Sequence, residues 1–281
     1  MKKWLKKMII NYNLLNSLYL TNLIEKLPKI ITKKIHKIFK IYFVPTKKEV
    51  LPNSNYPVFY DYAYQNKLIN DFQINQKLNS FMTYPNLINL LCTFFKKDEE
   101  FNFLDFGGEN IDFYLKLHSE FPKANYFIFN QKSILDNLKL LKEENNFKNF
   151  NIIYDEKKLT EKKYDFINLG SVIQYVGNYE NLISELIRVS RKYIFFSGTH
   201  FYDSVDNKKN IIVKQVNILP KTFYLYFFNK KFFYSNFLKN GFKINFESKN
   251  LTDNINYKNF KNNFFSSINY IDILFEKTKS F

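Results

Sequence analysis

The sequence predicts an α/β domain whose parallel sheet is covered by helices on both faces, and three observations carry that prediction. First, Phe101-Asn102-Phe103-Leu104-Asp105-Phe106-Gly107-Gly108 is an apolar run that ends in an acid and two glycines. A strand buried on both faces reads as a continuous apolar run, and a glycine turn at its end lets backbone approach a ligand. Second, further apolar runs follow at intervals, each ending in polar residues or glycine. Third, segments of helical spacing separate them, and strand alternating with helix implies a parallel sheet with its chemistry at the carboxyl ends of the strands.

Taken in order, Pro85 precedes a helix through Leu87, Leu90 and Leu91 that leads into the first strand. After Gly108, residues 109–120 form a helix with Phe113, Tyr114 and Leu117 inward. The second strand, Tyr126 to Phe129, ends at Asn130-Gln131, and helical spacing returns at Ile134, Leu135, Leu138 and Leu141. A third strand, Asn151 to Tyr154, ends at Asp155, and a fourth, Tyr164 to Leu169, ends at Gly170-Ser171. Leu182, Leu186 and Val189 mark a helix before the fifth strand, Tyr193 to Phe196. Gly241 stops a helix over 233–240. Two strands then follow without a helix between them, Phe242 to Glu247 and Tyr270 to Glu276, joined by an Asn- and Lys-rich loop over 249–264. That ending suggests a terminal antiparallel pair rather than another βαβ unit.

With those residues in hand, the chain resembles the class I, S-adenosylmethionine-dependent methyltransferases. Its segments Leu104 to Gly108, Phe127 to Gln131, Ser171 to Val176, Phe196 to Phe201 and Lys214 to Val216 are similar to a group of such enzymes associated with bacterial surface-polysaccharide genes. The resemblance covers roughly the last two thirds of the chain. It implies a Rossmann-like class I methyltransferase fold, a seven-stranded mostly parallel sheet with a terminal antiparallel pair. It also implies S-adenosyl-L-methionine as cofactor and a small-molecule or glycan acceptor. Asp105, Gly107 and Gly108 are then the loop that holds the methionine end. Asn130 and Gln131 stand where the ribose or adenine is met, and Asp155 stands near the adenine amino group. Gly170 and Ser171 face the transferred methyl group.

The sequence departs from that family at four places. Glu109 and Ile111 stand where further glycines are expected, and Asn130 stands in place of an acid. Gly198 replaces an expected arginine and His200 an expected proline. Methyl transfer draws much of its rate from positioning, and a base is needed only if the acceptor must lose a proton during attack. Tyr175 and His200 are the candidates for that base, histidine because it titrates near neutrality. The aromatic run Phe223 to Phe228 can line an acceptor pocket or simply fill a core.

Composition sets the outer bounds. The chain has 281 residues, a net charge of +16, one cysteine and only two arginines, Arg188 and Arg191. Abundant Lys, Asn, Ile, Phe and Tyr with scarce glycine has the look of an AT-rich coding sequence, which lessens the meaning of the charge. Cys92, in an apolar run, offers neither a disulfide nor a metal set and is expected to be a buried thiol. Three parts are expected: a basic amphipathic extension over 1–50, a connecting and cap region over 51–98, and the methyltransferase-like domain over 99–281.

The extension carries twelve lysines against Glu25 and Glu49, a net +10. Ile31, Ile35, Ile38 and Tyr42 share one helical face, Lys29, Lys33, Lys37 and Lys40 another, and Pro28 can start that helix. Such a helix either packs its apolar face on the core or lies on an anionic membrane. No stretch reaches the length of an uninterrupted spanning helix, and Asn11, Asn13 and Asn16 interrupt the early apolar run. The expected location is the cytoplasm, with residues 1–43 able to touch the inner membrane peripherally.

Three functions compete at this stage. The first is a methyltransferase acting on a sugar or surface-glycan precursor. The second is a methyltransferase-like scaffold that has lost its cofactor, favoured by Glu109, Ile111, Asn130 and Gly198. The third is a nucleic-acid methyltransferase, supported by lysine and aromatics. Asn168-Leu169-Gly170-Ser171 lacks the paired prolines and aromatic typical of base-amino methylation, so nucleic acid is not the favoured partner.

Overall fold

The computed structural model describes residues 28, 41–46, 51–52, 85–109, 111–203, 210–218, 221–250, 255–257 and 268–278. Within them the chain builds strand β1 (Ile41–Pro45), helix α1 (Pro85–Phe94), β2 (Asn102–Phe106), α2 (Ile111–Glu120), β3 (Asn125–Phe129), α3 (Lys132–Asn145) and β4 (Phe150–Ile153). It continues with the short α4 (Glu156–Leu159), β5 (Tyr164–Gly170), a 3₁₀ turn (Ile173–Tyr175), α5 (Tyr179–Val189) and β6 (Ser190–Tyr202). β7 (Asn210–Ile218), β8 (Lys221–Asn229), α6 (Lys230–Leu238), β9 (Phe242–Lys249), β10 (Ile255–Asn256) and β11 (Ile268–Lys277) complete it.

Alternation along the central strands sorts side chains onto two faces of the sheet. Leu104, Phe106, Phe127, Ile167, Leu169, Ile194 and Phe196 face one way, where Leu182, Ile183 and Leu186 of α5 and Phe233 and Phe237 of α6 cover them. Phe103, Tyr126, Ile128 and Phe166 face the other way, against Leu87 and Leu91 of α1, Phe113, Tyr114 and Leu117 of α2, and Leu135 and Leu138 of α3. Helices on both faces of a mostly parallel sheet form three layers, with β2 and β5 at the centre.

The strand order runs β4-β3-β2-β5-β6, all parallel, and then β11 and β9, with β11 antiparallel to both its neighbours. A mostly parallel sheet closed by an antiparallel pair is the Rossmann-like class I methyltransferase fold.

The sheet is larger than the sequence suggests, with eleven strands among the described residues. β6 runs from Ser190 to Tyr202 rather than ending at Phe196, because Ser197-Gly198 is a bulge and not a terminus. Phe196 pairs with Ile273 and Thr199 with Ile271, so Ser197 and Gly198 together oppose Asp272. Beyond the bulge β6 outruns β5, and its end pairs with β8, which carries β7, β1 and β10 in turn.

Three other expectations change. Residues 41–45 are a strand paired with β7, so Tyr42 does not lie on a helix; the rest of the basic helix falls outside the described residues. Residues 249–264 are not all loop, since Lys249 ends β9 and β10 lies within the stretch. Cys92 is exposed rather than buried. On α1, Leu87, Ile88 and Leu91 form the inward stripe with Phe95, and Cys92 turns away from it.

Candidate functional site at the carboxyl ends of the central strands

The central feature is Asp105, only 5% exposed in a central strand. Its carboxylate accepts hydrogen bonds from the Tyr126 hydroxyl at 2.5 Å and from the Asn168 side-chain amide at 2.8 Å. Burial pushes its pKa above the usual carboxylate value; the bonds from Tyr126 and Asn168 pull it down, and nearby Glu109 adds to the rise. A buried carboxyl thus joins β2, β3 and β5.

The glycine loop above it packs tightly on its own protein. Gly107 has φ +79°, its N–H donates to the Phe129 carbonyl at 2.7 Å, and a Cβ there would sit 2.6 Å from Cγ2 of Val172. A Cβ at Gly108 would overlap the Asp105 carboxylate. Gly107 is therefore required by the close approach of the segment after β5, and Gly108 by the Asp105 carboxylate and Ile128 beneath it. Asn130 is drawn into the same loop: its Nδ2 donates to the Gly108 carbonyl at 2.7 Å, and its Oδ1 accepts from the Gln131 N–H at 2.7 Å. Gly107, Gly108, Asn130, Gln131 and Gly170 remain half-buried and Ser171 exposed, so the sequence-predicted residues of three strands do meet along one accessible crest.

Asp155 sits apart, exposed at the N-terminus of α4, where its carboxylate caps the Lys157 N–H at 2.9 Å. Tyr175, on the 3₁₀ turn after β5, donates from its hydroxyl to Oε1 of Gln215 at 3.1 Å and packs edge-on to Phe223. His200 is 3% exposed, with Nδ1 2.7 Å from the Tyr257 hydroxyl and rings of Phe43, Phe227 and Tyr270 around it. Burial pushes its pKa down to about 3, so the imidazole stays neutral and is a poor proton acceptor. The geometry gives His200 a packing role rather than that of a base. The aromatic run is a strand, β8: Phe223, Leu225 and Phe227 alternate with Tyr224, Tyr226 and Phe228 on opposite faces.

Asp272 and Tyr270 are site residues that escaped the sequence reading. Asp272, buried on β11, accepts from the Gly198 N–H at 2.8 Å, Asn86 at 3.0 Å and Asn250 at 3.2 Å, joining α1, β6 and the residue that follows β9. An acid inside the apolar run Tyr270 to Phe275 was the available signal. Gln174, which the sequence already placed after the fourth strand in the Ser171 to Val176 segment, is also buried and donates its side-chain amide to the Ser171 carbonyl at 3.0 Å and the Gly198 carbonyl at 3.2 Å. The two residues it holds both have left-handed backbone, Ser171 at φ +53° and Gly198 at φ +56°. For a non-glycine residue that conformation costs on the order of 1–3 kcal/mol. The Ser171 Oγ lies 2.8 Å from the Tyr270 hydroxyl, and a Cβ at Gly198 would run into both oxygens.

The polar balance of this region is uneven. Oδ1 of Asn168, Oε1 of Gln174 and Oγ1 of Thr199 are buried with no hydrogen-bond partner among the described residues. Each such group costs on the order of 1–3 kcal/mol; these three lie late in β5, on the turn after it and beside the β6 bulge, while Tyr164 and Ser190 carry others at the opposite ends of the two strands. No cluster of His, Cys, Asp and Glu suited to a metal occurs among the described residues.

No protein-family model matches the chain, and no curated protein matches it significantly. Solved structures do share its outline. An S-adenosylmethionine-dependent methyltransferase from Clostridium acetobutylicum is 11% identical, over 76% of this chain and 99% of that one, with a TM-score of 0.47. Magnesium protoporphyrin IX methyltransferase from Synechocystis with bound S-adenosylhomocysteine is 11% identical over 74% and 86%, with a TM-score of 0.48. The 1,6-didemethyltoxoflavin-N1-methyltransferase of Burkholderia thailandensis is 10% identical over 84% and 95%, with a TM-score of 0.47. Likenesses this distant do not assign a function; the chain's own strand order defines its fold.

Proposed function

We propose that the protein is an S-adenosyl-L-methionine-dependent methyltransferase acting on a small polar acceptor. The observation that carries this reading is the acceptor-bearing end of the central strands, where the buried Asp105 carboxyl is bonded to Asn168, whose own side-chain oxygen is unpaired, and Gln174 on the turn after β5 carries a second unpaired oxygen. Oxygen acceptors and a carboxylate suit a ligand that brings an ammonium and a sulfonium, so the residues present fit this cofactor. When bound, the cofactor supplies an electrophilic methyl group. Asp105, Gly107 and Gly108 would hold its amino-acid end, Asn130 and Gln131 its nucleoside, and Gly170 and Ser171 the side facing the acceptor. Asp155, exposed at the far strand, is left as an adenine contact only if its capping bond is shared.

A sugar or surface-glycan precursor is the acceptor class supported by the resemblance of Ser171 to Val176 and Phe196 to Phe201 to glycan-associated enzymes. One observation favours the scaffold alternative: the glycines and both polar atoms of Asn130 are already engaged within the loop. Calorimetric titration of the purified chain with S-adenosylmethionine and S-adenosylhomocysteine separates the two. Micromolar binding, at least tenfold weaker in Asp105→Ala, is the expected result. Well-folded wild type that binds neither would overturn the enzyme reading and leave the scaffold.

A further inference from the structure

We propose that the hydroxyl pair of Ser171 and Tyr270 is the acceptor-binding element of the site, receiving a neutral hydroxyl or amine of a small polar molecule; this rests on the methyltransferase reading above. The two oxygens lie 2.8 Å apart, that of the exposed Ser171 just past the end of β5 and that of the half-buried Tyr270 near the start of β11. In the sheet, β2 and β3 carry the glycine loop and Asn130, so a ligand seated there has β5, β6 and β11 on its other side. The pair stands on that side.

The backbone beneath it is costly, whereas an exposed hydroxyl pair is worth little to the fold. Ser171 holds a left-handed conformation, with its N–H donating to the Ser197 carbonyl at 2.8 Å. Gly198 must lack a side chain for Tyr270 to reach Ser171 at all. Asp272 fixes the Gly198 N–H, and Gln174 fixes both carbonyls. A bulge, a left-handed glycine, the strained Ser171 and two buried polar side chains thus converge on one contact, and the strain held at Ser171 supports a functional role for it.

The chemistry defines the occupant. One hydroxyl proton is spent in the mutual bond, leaving one donor and free lone pairs, a set that matches a group able both to donate and to accept. Burial raises the Tyr270 pKa, so the phenol stays protonated and acts as an orienting donor. In the transfer, the acceptor oxygen or nitrogen bonds to the methyl carbon. The carbon–sulfur bond breaks with its electrons going to sulfur, and the acceptor proton leaves to water.

A test independent of the unknown acceptor uses sinefungin, whose amine stands where the cofactor carries its methyl group. Its affinity is compared with that of S-adenosylhomocysteine in wild type, Tyr270→Phe and Ser171→Gly, the last keeping the left-handed backbone without the hydroxyl. Both variants are expected to weaken sinefungin about tenfold, the loss of one hydrogen bond to a charged group, while S-adenosylhomocysteine stays within twofold. Equal losses for both ligands, or no loss for either, would overturn the assignment. Wild type that binds neither ligand would instead overturn the methyltransferase reading, and this pair with it.

Discussion

At Gly198 a single methyl group decides whether three strands can meet. Alanine there would have to keep φ near +56° while its Cβ met Ser171 and Tyr270. Gly198→Ala is therefore expected to cost about 1–3 kcal/mol, read as a lower urea midpoint at unchanged slope. A midpoint equal to wild type would show that the bulge relaxes freely. Asp105 poses the opposite problem, a side chain whose removal leaves two donors without a partner. Asp105→Ala strips the Tyr126 hydroxyl and the Asn168 amide of their acceptor and is expected to cost about 2–4 kcal/mol. Asp105 was legible in the sequence because an acid inside an apolar run stands out. Tyr270 was not, because its partner is 99 positions away and the glycine that admits it reads as an ordinary strand end.

Elements were legible where burial on both faces makes a strand uniformly apolar. β2, β3 and β5 are of that kind, and the amphipathic stripe of α5 was equally plain. β1, β7 and β8 were not, because their pairing is decided by one another rather than by local pattern. Ile41 to Pro45 continues the spacing of a basic helix, yet its Phe43 packs on Phe227 and His200. His200 ties β6 to this outer group of strands through Tyr257, and its burial favours the neutral imidazole. The unfolded histidine takes up a proton below about pH 6.5, whereas the folded one refuses it until about pH 3. Stability contributed by His200 is thus complete above pH 6.5 and falls as the pH drops towards 3. At pH 5 the loss amounts to about 2 kcal/mol. His200→Phe keeps the ring packing but cannot titrate, so between pH 7 and pH 5 it should lose about 2 kcal/mol less than wild type. Parallel acid profiles for the two proteins would show that water reaches the imidazole.

For the whole molecule, the sheet order joins the candidate site to global stability. β2 and β5 are the centre of the three layers, and Asp105 and Asn168 couple them at the edge where a ligand would sit. A ligand that binds only the folded chain adds stability by mass action, about 2.7 kcal/mol at a hundred times its dissociation constant. For a chain of this size each kcal/mol moves the melting temperature by roughly 2–4 °C. S-adenosylhomocysteine at that excess is therefore expected to raise the wild-type melting temperature by several degrees, and the same concentration to raise that of Asp105→Ala by no more than about half as much. Net charge does not decide this outcome: a net +10 of the +16 belongs to residues 1–50, away from the strands that carry the crest in sequence. The shift should accordingly persist at high salt, since the contacts proposed for it are partly buried and poorly screened. A shift that vanished with salt would mean that the ligand is held by the lysine-rich surface instead of by Asp105 and its neighbours.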